Sequence, residues 1–305
     1  MDPRVLDRLR CPVCAEPLTE TTAGTTRALR CPRRHSFDFA RQGYVNLLAG
    51  RTPHAGDSAE MVAARADFLA AGHYDTVATA LAATAADVVD RVRSTTPPAR
   101  RAATDATQGD PGASYPLVVD AGAGTGWYLA AVLAALPDAV GLALDVAKPA
   151  LRRAARAHPR AAAALADTWQ RLPLADASAA VLLNVFAPRN GPEFHRVLDP
   201  AGALLVVTPA DDHLAELVAA LDLLRVDPAK ADRVAGSLGG HFTEESASVH
   251  RARLTLTRTE VATLVGMGPS AWHTDPARLA ERIAALPEPA PVTLAVRLGV
   301  HRPHS

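Results

Sequence analysis

The chain is poor in cysteine, contains no long apolar run and carries no net charge. It has three cysteines in 305 residues, and 32 basic side chains balance 32 acidic ones. No stretch of about 18 consecutive apolar residues suggests a transmembrane helix. The first residues also lack the basic and then apolar regions of a secretory signal. We therefore expect a cytoplasmic protein without membrane contact, in which any nucleic-acid binding depends on locally clustered arginine and lysine.

All three cysteines lie near one end of the chain. Cys11 and Cys14 form a C-x2-C pair, and Cys31 with His35 forms a C-x3-H pair after 16 intervening residues. An odd number of clustered cysteines suits metal binding in a reducing compartment better than disulfides. The four side chains predict a closed tetrahedral Zn²⁺ site with a structural role. Buried unliganded cysteines beside a surface histidine are the alternative.

Composition divides the chain into four parts. Residues 94–114 are rich in proline, glycine, threonine and aspartate, which predicts a flexible linker. Before it we expect a zinc-binding module over residues 1–50 and a helical connecting segment over 51–93, where apolar residues recur at spacings near three and four. Residues 115–305 alternate strand and helix patterns, which predicts a mostly parallel sheet with helices on both faces.

The predicted elements of the last part follow one another closely. The strands are expected at 117–120, 140–144, 180–184 and 204–208, and two antiparallel edge strands at 250–257 and 292–298. The helices are expected at 127–136, at 149–158, from 214 onward and at 258–265. A third-strand region supplies Asp167, and the alanine run Ala161–Ala164 is interpreted as helical filler.

A glycine-rich turn stands between the strand at 117–120 and the helix that follows it. It is the segment DAGAGTG at residues 120–126. Glycine lets the backbone approach a cofactor without obstruction by Cβ, and the N–H groups at a helix start point outward. The turn alone fits S-adenosylmethionine, a dinucleotide or a purely structural role. The residues assigned to cofactor binding here are Asp120, Gly122, Gly124, Thr125 and Gly126.

Two aspartates at the ends of later strands help to separate these alternatives. Asp145 is placed to accept hydrogen bonds from both ribose hydroxyls of a nucleoside. Asp167 lies where methyltransferases often bind the adenine amino group, although a capping or surface role is equally open. The G-x-G-x-G spacing lacks the longer G-x-G-x-x-G step of dinucleotide-binding turns. The sequence therefore favours an α/β, Rossmann-like class I methyltransferase fold with a seven-stranded sheet and S-adenosylmethionine as cofactor.

Longer motifs make the chain resemble a known family. They are the Cys3His module, FDFARQGYVNLL at 37–48, GDSAEMVAAR at 56–65, AGHY at 71–74, NVFAPRN at 184–190, TP and HL at 208–214, and MGPSAWH at 267–273. With these motifs the sequence resembles the 23S rRNA guanine-N1 methyltransferases of the RlmA type, and most closely their tylosin- and mycinamicin-resistance branch. The resemblance covers nearly the whole chain, and its main departure is the long 94–114 segment.

The resemblance implies several functional assignments. The zinc module would help to recognise RNA, and cofactor contacts would fall on Tyr74, Gly124, Thr125 and His213. Without the resemblance, the tyrosine fits a core position and the histidine a helix cap. The implied target is N1 of a guanine in a hairpin loop of domain II of 23S rRNA, where methylation would weaken macrolide binding. Family members also suggest a homodimer.

Guanine N1 carries a proton that must leave before methylation. A base or an oxyanion stabiliser is therefore expected near the methyl group, and the candidates are Asp57, His73 and Asn184. Each has a structural alternative: Asp57 as a helix N-cap, His73 as a surface residue and Asn184 as a ligand of strand-end backbone.

A cluster of arginines in the front segment predicts contact with the RNA backbone. Its members are Arg27, Arg30, Arg33, Arg34, Arg41 and Arg51. A solvated face is the alternative for this cluster. Phe186 is expected to stack on an extruded guanine or, alternatively, to pack in the core.

Two other functions stay open at this point. A small-molecule methyltransferase of antibiotic biosynthesis would have an apolar substrate lid and no basic zinc module. A zinc-bearing RNA-binding protein without catalysis is disfavoured by the intact glycine turn, and it would fail to bind S-adenosylmethionine.

Overall fold

The structure is a computed structural model that describes residues 1–23, 26–50, 56–95, 115–223, 236–268 and 275–304. Residues 96–114 of the predicted linker lie outside the described residues. Arg51 also lies outside them. Ser94 and Thr95 instead end a helix. Within the described ranges, no helix is both long enough and apolar enough to cross a membrane.

The front of the chain folds into a short helix and small strands around the cysteines. These elements are α1 (Pro3–Leu6), β1 (Thr19–Ala23), β2 (Thr26–Arg30), β3 (Ser36–Asp38) and β4 (Val45–Asn46). Strands β1, β2 and β3 form an antiparallel sheet of their own. Two helices follow within the segment expected to be helical, α2 (Ala59–Ala70) and α3 (Asp75–Thr95), separated by the turn at 71–74.

The remaining described residues alternate strands with helices, as the sequence predicts. The strands are β5 (Leu117–Ala121), β6 (Val140–Asp145), β7 (Ala161–Leu165), β8 (Ala179–Val185), β9 (Leu198–Pro209), β10 (Phe242–Leu256) and β11 (Ala290–Pro303). The helices are α4 (Trp127–Ala135), α5 (Lys148–Ala154), α6 (Gly191–Val197), α7 (Ala215–Leu221), α8 (Arg258–Gly266) and α9 (Pro276–Ala284).

Among the described residues, the main sheet has eight strands in the order β10-β11-β9-β8-β5-β6-β7-β4. The strands from β9 to β4 are parallel, and β10 and β11 are antiparallel. The predicted class I arrangement is confirmed. One strand more than the expected seven is present, because Val45 and Asn46 of the front segment pair with Ala164 and Leu165 of β7.

The interpretation of Ala161–Ala164 as helical filler is wrong, because these residues form β7. Alanine favours helices by only a few tenths of a kcal/mol per residue, roughly, over most other residues. Pairing with β6 and β4 on both sides buries the strand and outweighs that preference. The small side chains leave room for the segments that cover both faces.

Two hydrophobic cores cover the two faces of the sheet. Helices α3, α4, α5 and α8 pack on one face. On the other face, Val5 and Leu9 of the front segment lie in the same core as Leu117 and Leu142, together with Phe194 of α6. Leu9 also forms a β-bridge with Leu174. The cysteine-bearing segment is therefore packed directly against the parallel sheet.

Candidate active site and metal centre

The three cysteines and His35 converge on one point. Their four ligand atoms all lie within 4.8 Å of one another. Sγ of Cys31 lies 3.3 Å from Nδ1 of His35, and Sγ of Cys14 lies 3.6 Å from Sγ of Cys31. A tetrahedral zinc ion with Zn–S near 2.3 Å separates its ligands by roughly 3.5–3.8 Å. The donor set and the separations fit Zn²⁺, and the group is a structural zinc site with four protein ligands.

Local backbone structure brings these ligands together. The N–H of Ala15 donates to the carbonyl of Cys11, and the N–H of Arg34 donates to the carbonyl of Cys31, so a tight turn follows each of these two cysteines. Cys11 and Cys31 are buried, which shields the site from water. Such a small segment has little core of its own, so the metal stabilises its fold.

The glycine turn takes the conformation that its sequence predicts. Gly122, Gly124 and Gly126 all have positive φ, at 85°, 54° and 78°. A Cβ on Gly122 would lie 2.5 Å from that of Ala187, so the loop after β8 closes directly over the turn. Gly126 is the N-cap of α4 and packs against Ala154 of α5. Glycine at these three positions therefore keeps the carboxyl edge of β5 clear of Cβ atoms where neighbouring segments approach closely.

The carboxyl group of Asp120, at the end of β5, has no hydrogen-bond partner within the described part of the chain. The residue is 1% exposed, and both of its side-chain oxygens are buried without a hydrogen bond. Burial, together with the nearby Asp145, raises the pKa of Asp120 to about 8. A buried carboxylate without a donor is unfavourable, so the geometry calls for a cationic ligand.

Asp145 is tied to the turn by its own hydrogen bonds. Its Oδ2 accepts from the Gly124 N–H at 2.8 Å, and its Oδ1 accepts from the Ala147 N–H at 2.8 Å. A carboxylate has about four acceptor positions, so both oxygens retain capacity for ribose hydroxyls. Thr125 is buried between these elements.

The sequence analysis did not single out Arg65 as a site residue. Its Nη1 donates to Asp57 in an ion pair, and its Nη2 donates to the carbonyl of Met267 at 2.9 Å. A Cβ built on Gly124 would lie 3.4 Å from Nη1 of Arg65, which puts the guanidinium beside the glycine turn. The available signal was the GDSAEMVAAR motif at 56–65, which ends on this arginine.

Tyr74, Phe186 and His213 form an aromatic cluster at the loop after β8. The Tyr74 hydroxyl lies 3.5 Å from Nε2 of His213, and the ring of Phe186 stacks on that of His213 with centroids 6.2 Å apart. Phe186 has φ of +53° and its side chain is 44% exposed. Core packing of Phe186 is therefore wrong. A bulky residue held in the left-handed region beside a site suggests a functional constraint.

The three candidates for catalysis differ sharply in their contacts. Asp57 is paired with Arg65, and Ser58 is the N-cap of α2, so the capping alternative for Asp57 is wrong. His73 lies 2.9 Å from Glu260 and is part-buried, so it is no free surface residue. Asp57 is thus engaged in an ion pair, and His73 is in hydrogen-bond contact with a carboxylate.

Asn184 is fully buried at the end of β8. Its amide nitrogen donates to the carbonyls of Ala121 and Pro188, at 3.3 and 2.7 Å. Its Oδ1 is buried and has no hydrogen-bond partner within the described part of the chain. The residue therefore serves as a backbone ligand and also keeps an acceptor for a bound molecule.

Asp167 is buried just beyond β7. Its Oδ1 accepts from the Trp169 N–H at 3.0 Å, and its Oδ2 lies 3.5 Å from the Gln170 amide nitrogen. The side chain thus stabilises the turn that follows the strand. Asn190 ties this turn to the loop after β8 by donating to the carbonyls of Thr168 and Gln170.

The front arginines divide into paired and exposed ones. Arg27 donates to Glu20 at 2.6 Å and lies over the ring of Phe39, and Arg33 lies 4.0 Å from Glu16. These contacts bind Arg27 into the front sheet, so it is a weaker candidate for RNA than the sequence suggests. The exposed members without an ion pair among the described residues are Arg30, Arg34 and Arg41.

Comparisons with known proteins show the family to which this chain belongs. Residues 9–52 match the zinc-ribbon family described as "RlmA, N-terminal". A Micromonospora griseorubida protein named "Putative 23S rRNA (guanine-N(1)-)-methyltransferase" is 66% identical over 303 residues, which cover 99% of this chain and 100% of that protein. The 23S rRNA (guanine(748)-N(1))-methyltransferase of Streptomyces fradiae is 51% identical over 304 residues, covering 99% of each chain. With this likeness along its whole length, the chain belongs to the 23S rRNA (guanine-N1)-methyltransferase family.

Proposed function

We propose that this chain transfers a methyl group from S-adenosylmethionine to N1 of a guanine in a hairpin loop of domain II of 23S rRNA. The observation that carries the proposal is the juxtaposition of the glycine turn, the unpartnered Asp120 carboxylate and the exposed Phe186 ring at one edge of the sheet. The first two suit a cationic nucleoside cofactor, and the third suits an unstacked base.

The residues around the turn suit each part of the cofactor. Asp120 would accept from the α-ammonium group, and Arg65 beside Gly124 would bind the carboxylate at the same end. Asp145 would accept from the ribose hydroxyls, Asp167 from the adenine amino group, and Tyr74 with His213 would close the outer wall. When bound, the cofactor supplies an electrophilic methyl group on a sulfonium.

The loop after β8 would hold the target base. Phe186 presents an exposed ring on which a purine can stack, and base–aromatic stacking contributes about 1–3 kcal/mol. The free Oδ1 of Asn184 would accept from a guanine N–H donor and set the angle of the Watson–Crick edge. Transfer to N1 would require the N1 proton to leave, and the Asn184 amide would orient this edge of the base while that proton passes to solvent. Alignment supplies much of the rate in such a reaction.

The family membership supports a broader biological role. We propose that residues 1–50 recognise rRNA and residues 115–305 carry the methyltransferase activity, in the cytoplasm and as a homodimer. Methylation of the guanine would reduce binding of tylosin- or mycinamicin-type macrolides to the ribosome.

The direct test is primer extension on 23S rRNA after incubation with zinc-loaded protein and S-adenosylmethionine. N1 methylation blocks base pairing, so a new stop should appear one nucleotide before the modified guanine. The Asp120→Ala variant is the control, because it removes the carboxylate expected to bind the cofactor. No stop with wild-type protein would refute the proposal. Methylation of a small molecule alone would favour a biosynthetic enzyme, and absent cofactor binding would favour an inactive RNA-binding protein.

A further inference from the structure

Helix α5 and the turn that follows it carry a row of exposed cations that the proposed site does not use. Lys148, Arg152, Arg153 and Arg156 are all exposed, and residues 148–160 contain no acidic residue. Within the described residues, none of the four has a carboxylate within ion-pair distance. The surface is therefore strongly positive although the chain as a whole is neutral.

Several other arginines of the chain are paired with carboxylates. Arg91 and Arg302 share Glu245, Arg251 pairs with Asp212, and Arg297 pairs with Glu244. The chain has equal numbers of acidic and basic side chains. On these parts of the described surface, the arginines form ion pairs with the acidic side chains. The absence of acids around α5 leaves its cations available to an external anion.

The packing of α5 fixes the direction of these side chains. Ala150, Leu151 and Ala154 are fully buried against the sheet or neighbouring helices. The cations lie on the exposed side, where Lys148 and Arg152 are spaced i, i+4, which places them about 6 Å apart along the helix. Arg156 follows in the turn after the helix. The helix core does not depend on them.

The row connects the cofactor edge with the zinc module. At one end, Lys148 follows Ala147, whose N–H donates to Asp145 beside the glycine turn. At the other end, a Cβ on Gly43 would lie 3.7 Å from that of Ala155, which puts the Arg41 hairpin against the end of α5. Arg41 is exposed and extends the same positive surface.

We propose that Lys148, Arg152, Arg153 and Arg156, continued by Arg41, form a track for the sugar–phosphate backbone of the RNA substrate. The inference rests on the proposed function. It adds a second RNA surface that leads from the zinc module to the methyl-transfer edge. A phosphodiester chain fits this surface because it offers repeated single anions that guanidinium groups bind through paired hydrogen bonds.

The composition of the surface favours RNA over a lipid bilayer. The large exposed apolar side chains in the described part of the chain are Val13, Trp169, Phe186 and Val249, and none belongs to α5. Interfacial helices that bind anionic membranes bury an apolar face in the lipid. Here the apolar face of the helix is already buried within the protein.

The test compares RNA affinity between two matched double variants and one control. Arg152→Gln with Arg156→Gln removes two charges, Arg152→Lys with Arg156→Lys retains them, and Arg278→Gln neutralises an exposed arginine on α9, away from this row. Binding of the 23S domain II hairpin is measured against salt concentration by fluorescence anisotropy. S-adenosylmethionine affinity by calorimetry and the melting temperature report on the fold.

Loss of the two charges should weaken RNA binding about tenfold near physiological salt and lower the log–log salt slope by about two. The lysine variant and Arg278→Gln should stay close to wild type, and all three should bind the cofactor normally. If the glutamine variant keeps both wild-type affinity and wild-type slope, the track is refuted while the proposed function stands. If wild-type protein binds no rRNA and gives no primer-extension stop, both fail together.

Discussion

The Tyr74 hydroxyl oxygen lies 3.5 Å from Nε2 of His213. The hydrogen bond at the other ring nitrogen, Nδ1, indicates which of the two groups donates. The Ala295 N–H donates to Nδ1 of His213 at 3.3 Å, so Nδ1 is an acceptor and the neutral ring carries its proton on Nε2. His213 therefore donates to Tyr74. Under the proposed function, the tyrosine hydrogen would then be available to the cofactor.

Removing only the Tyr74 hydroxyl should weaken cofactor binding without unfolding the protein. Tyr74→Phe keeps the buried ring, which packs edge-to-face against Phe68. Loss of one neutral hydrogen bond corresponds to about 1 kcal/mol, or roughly fivefold in affinity. Calorimetry with S-adenosylmethionine measures the change. An unchanged dissociation constant would mean that the hydroxyl serves only His213.

Cofactor binding should release a proton from Asp120. Its pKa is raised to about 8 by burial and by the nearby Asp145, so at about pH 6.5 the carboxyl is protonated in the free protein. An incoming ammonium group favours the charged form, and about one proton should leave. Calorimetry in two buffers of different ionisation enthalpy counts that proton. Asp120→Asn should release none and bind the cofactor about tenfold or more weakly.

Asp120 should also make the stability of the cofactor-free protein depend on pH. In the unfolded chain Asp120 has the ordinary aspartate pKa of 3.8, whereas in the folded chain its pKa is about 8. Between these two values the folded state binds more protons, so the stability contributed by Asp120 falls as pH rises. Asp120→Asn should flatten that decline in thermal melts across the window. A decline of equal slope in both proteins would assign it to other groups.

The sequence predicted those features that local chemistry determines. The positive φ of Gly122, Gly124 and Gly126 follows from a turn that only glycine adopts easily, and the Cys3His spacing requires closure around a metal. The strand and helix order also followed from apolar periodicity. In each case, the structure follows from residues that are close together in the sequence.

Features that depend on distant contacts could not be predicted in this way. Ala161–Ala164 becomes a strand because β6 and β4 pair with it, and β4 comes from the front of the chain. Arg65 becomes part of the site because its helix lies over Gly124. The exposed ring of Phe186 depends on a left-handed backbone that nothing in its neighbours indicates.

Removing zinc should destabilise more than the front segment. Val5 and Leu9 pack against Leu117 and Leu142 of the main sheet, so disorder around the metal exposes part of that core. His35→Ala should lower the zinc content well below one per chain and reduce the melting temperature of the whole protein. Elemental analysis and calorimetry measure both, with His250→Ala on β10 as control. Full zinc content in His35→Ala would refute the fourth ligand.

Replacing Phe186 with glycine should change methylation activity without a matching loss of stability. Its φ of +53° costs a bulky residue about 1–2 kcal/mol that glycine does not incur. This gain offsets the loss of the contacts that the 44% exposed ring makes with Tyr74 and His213. Phe186→Gly should therefore be as stable as wild type or slightly more stable. Without the ring, rRNA methylation should fall about tenfold or more, since stacking on a base contributes about 1–3 kcal/mol.

Phe186→Tyr is the matched variant because it keeps a flat ring on the same backbone. It should retain most of the methylation activity, and S-adenosylmethionine affinity should change little in either variant. Denaturant unfolding and single-turnover methylation of the hairpin separate the two effects. If Phe186→Gly loses more than about 2 kcal/mol of stability, the ring packs as a core residue does. If methylation survives intact, the strained loop serves another purpose than holding the base.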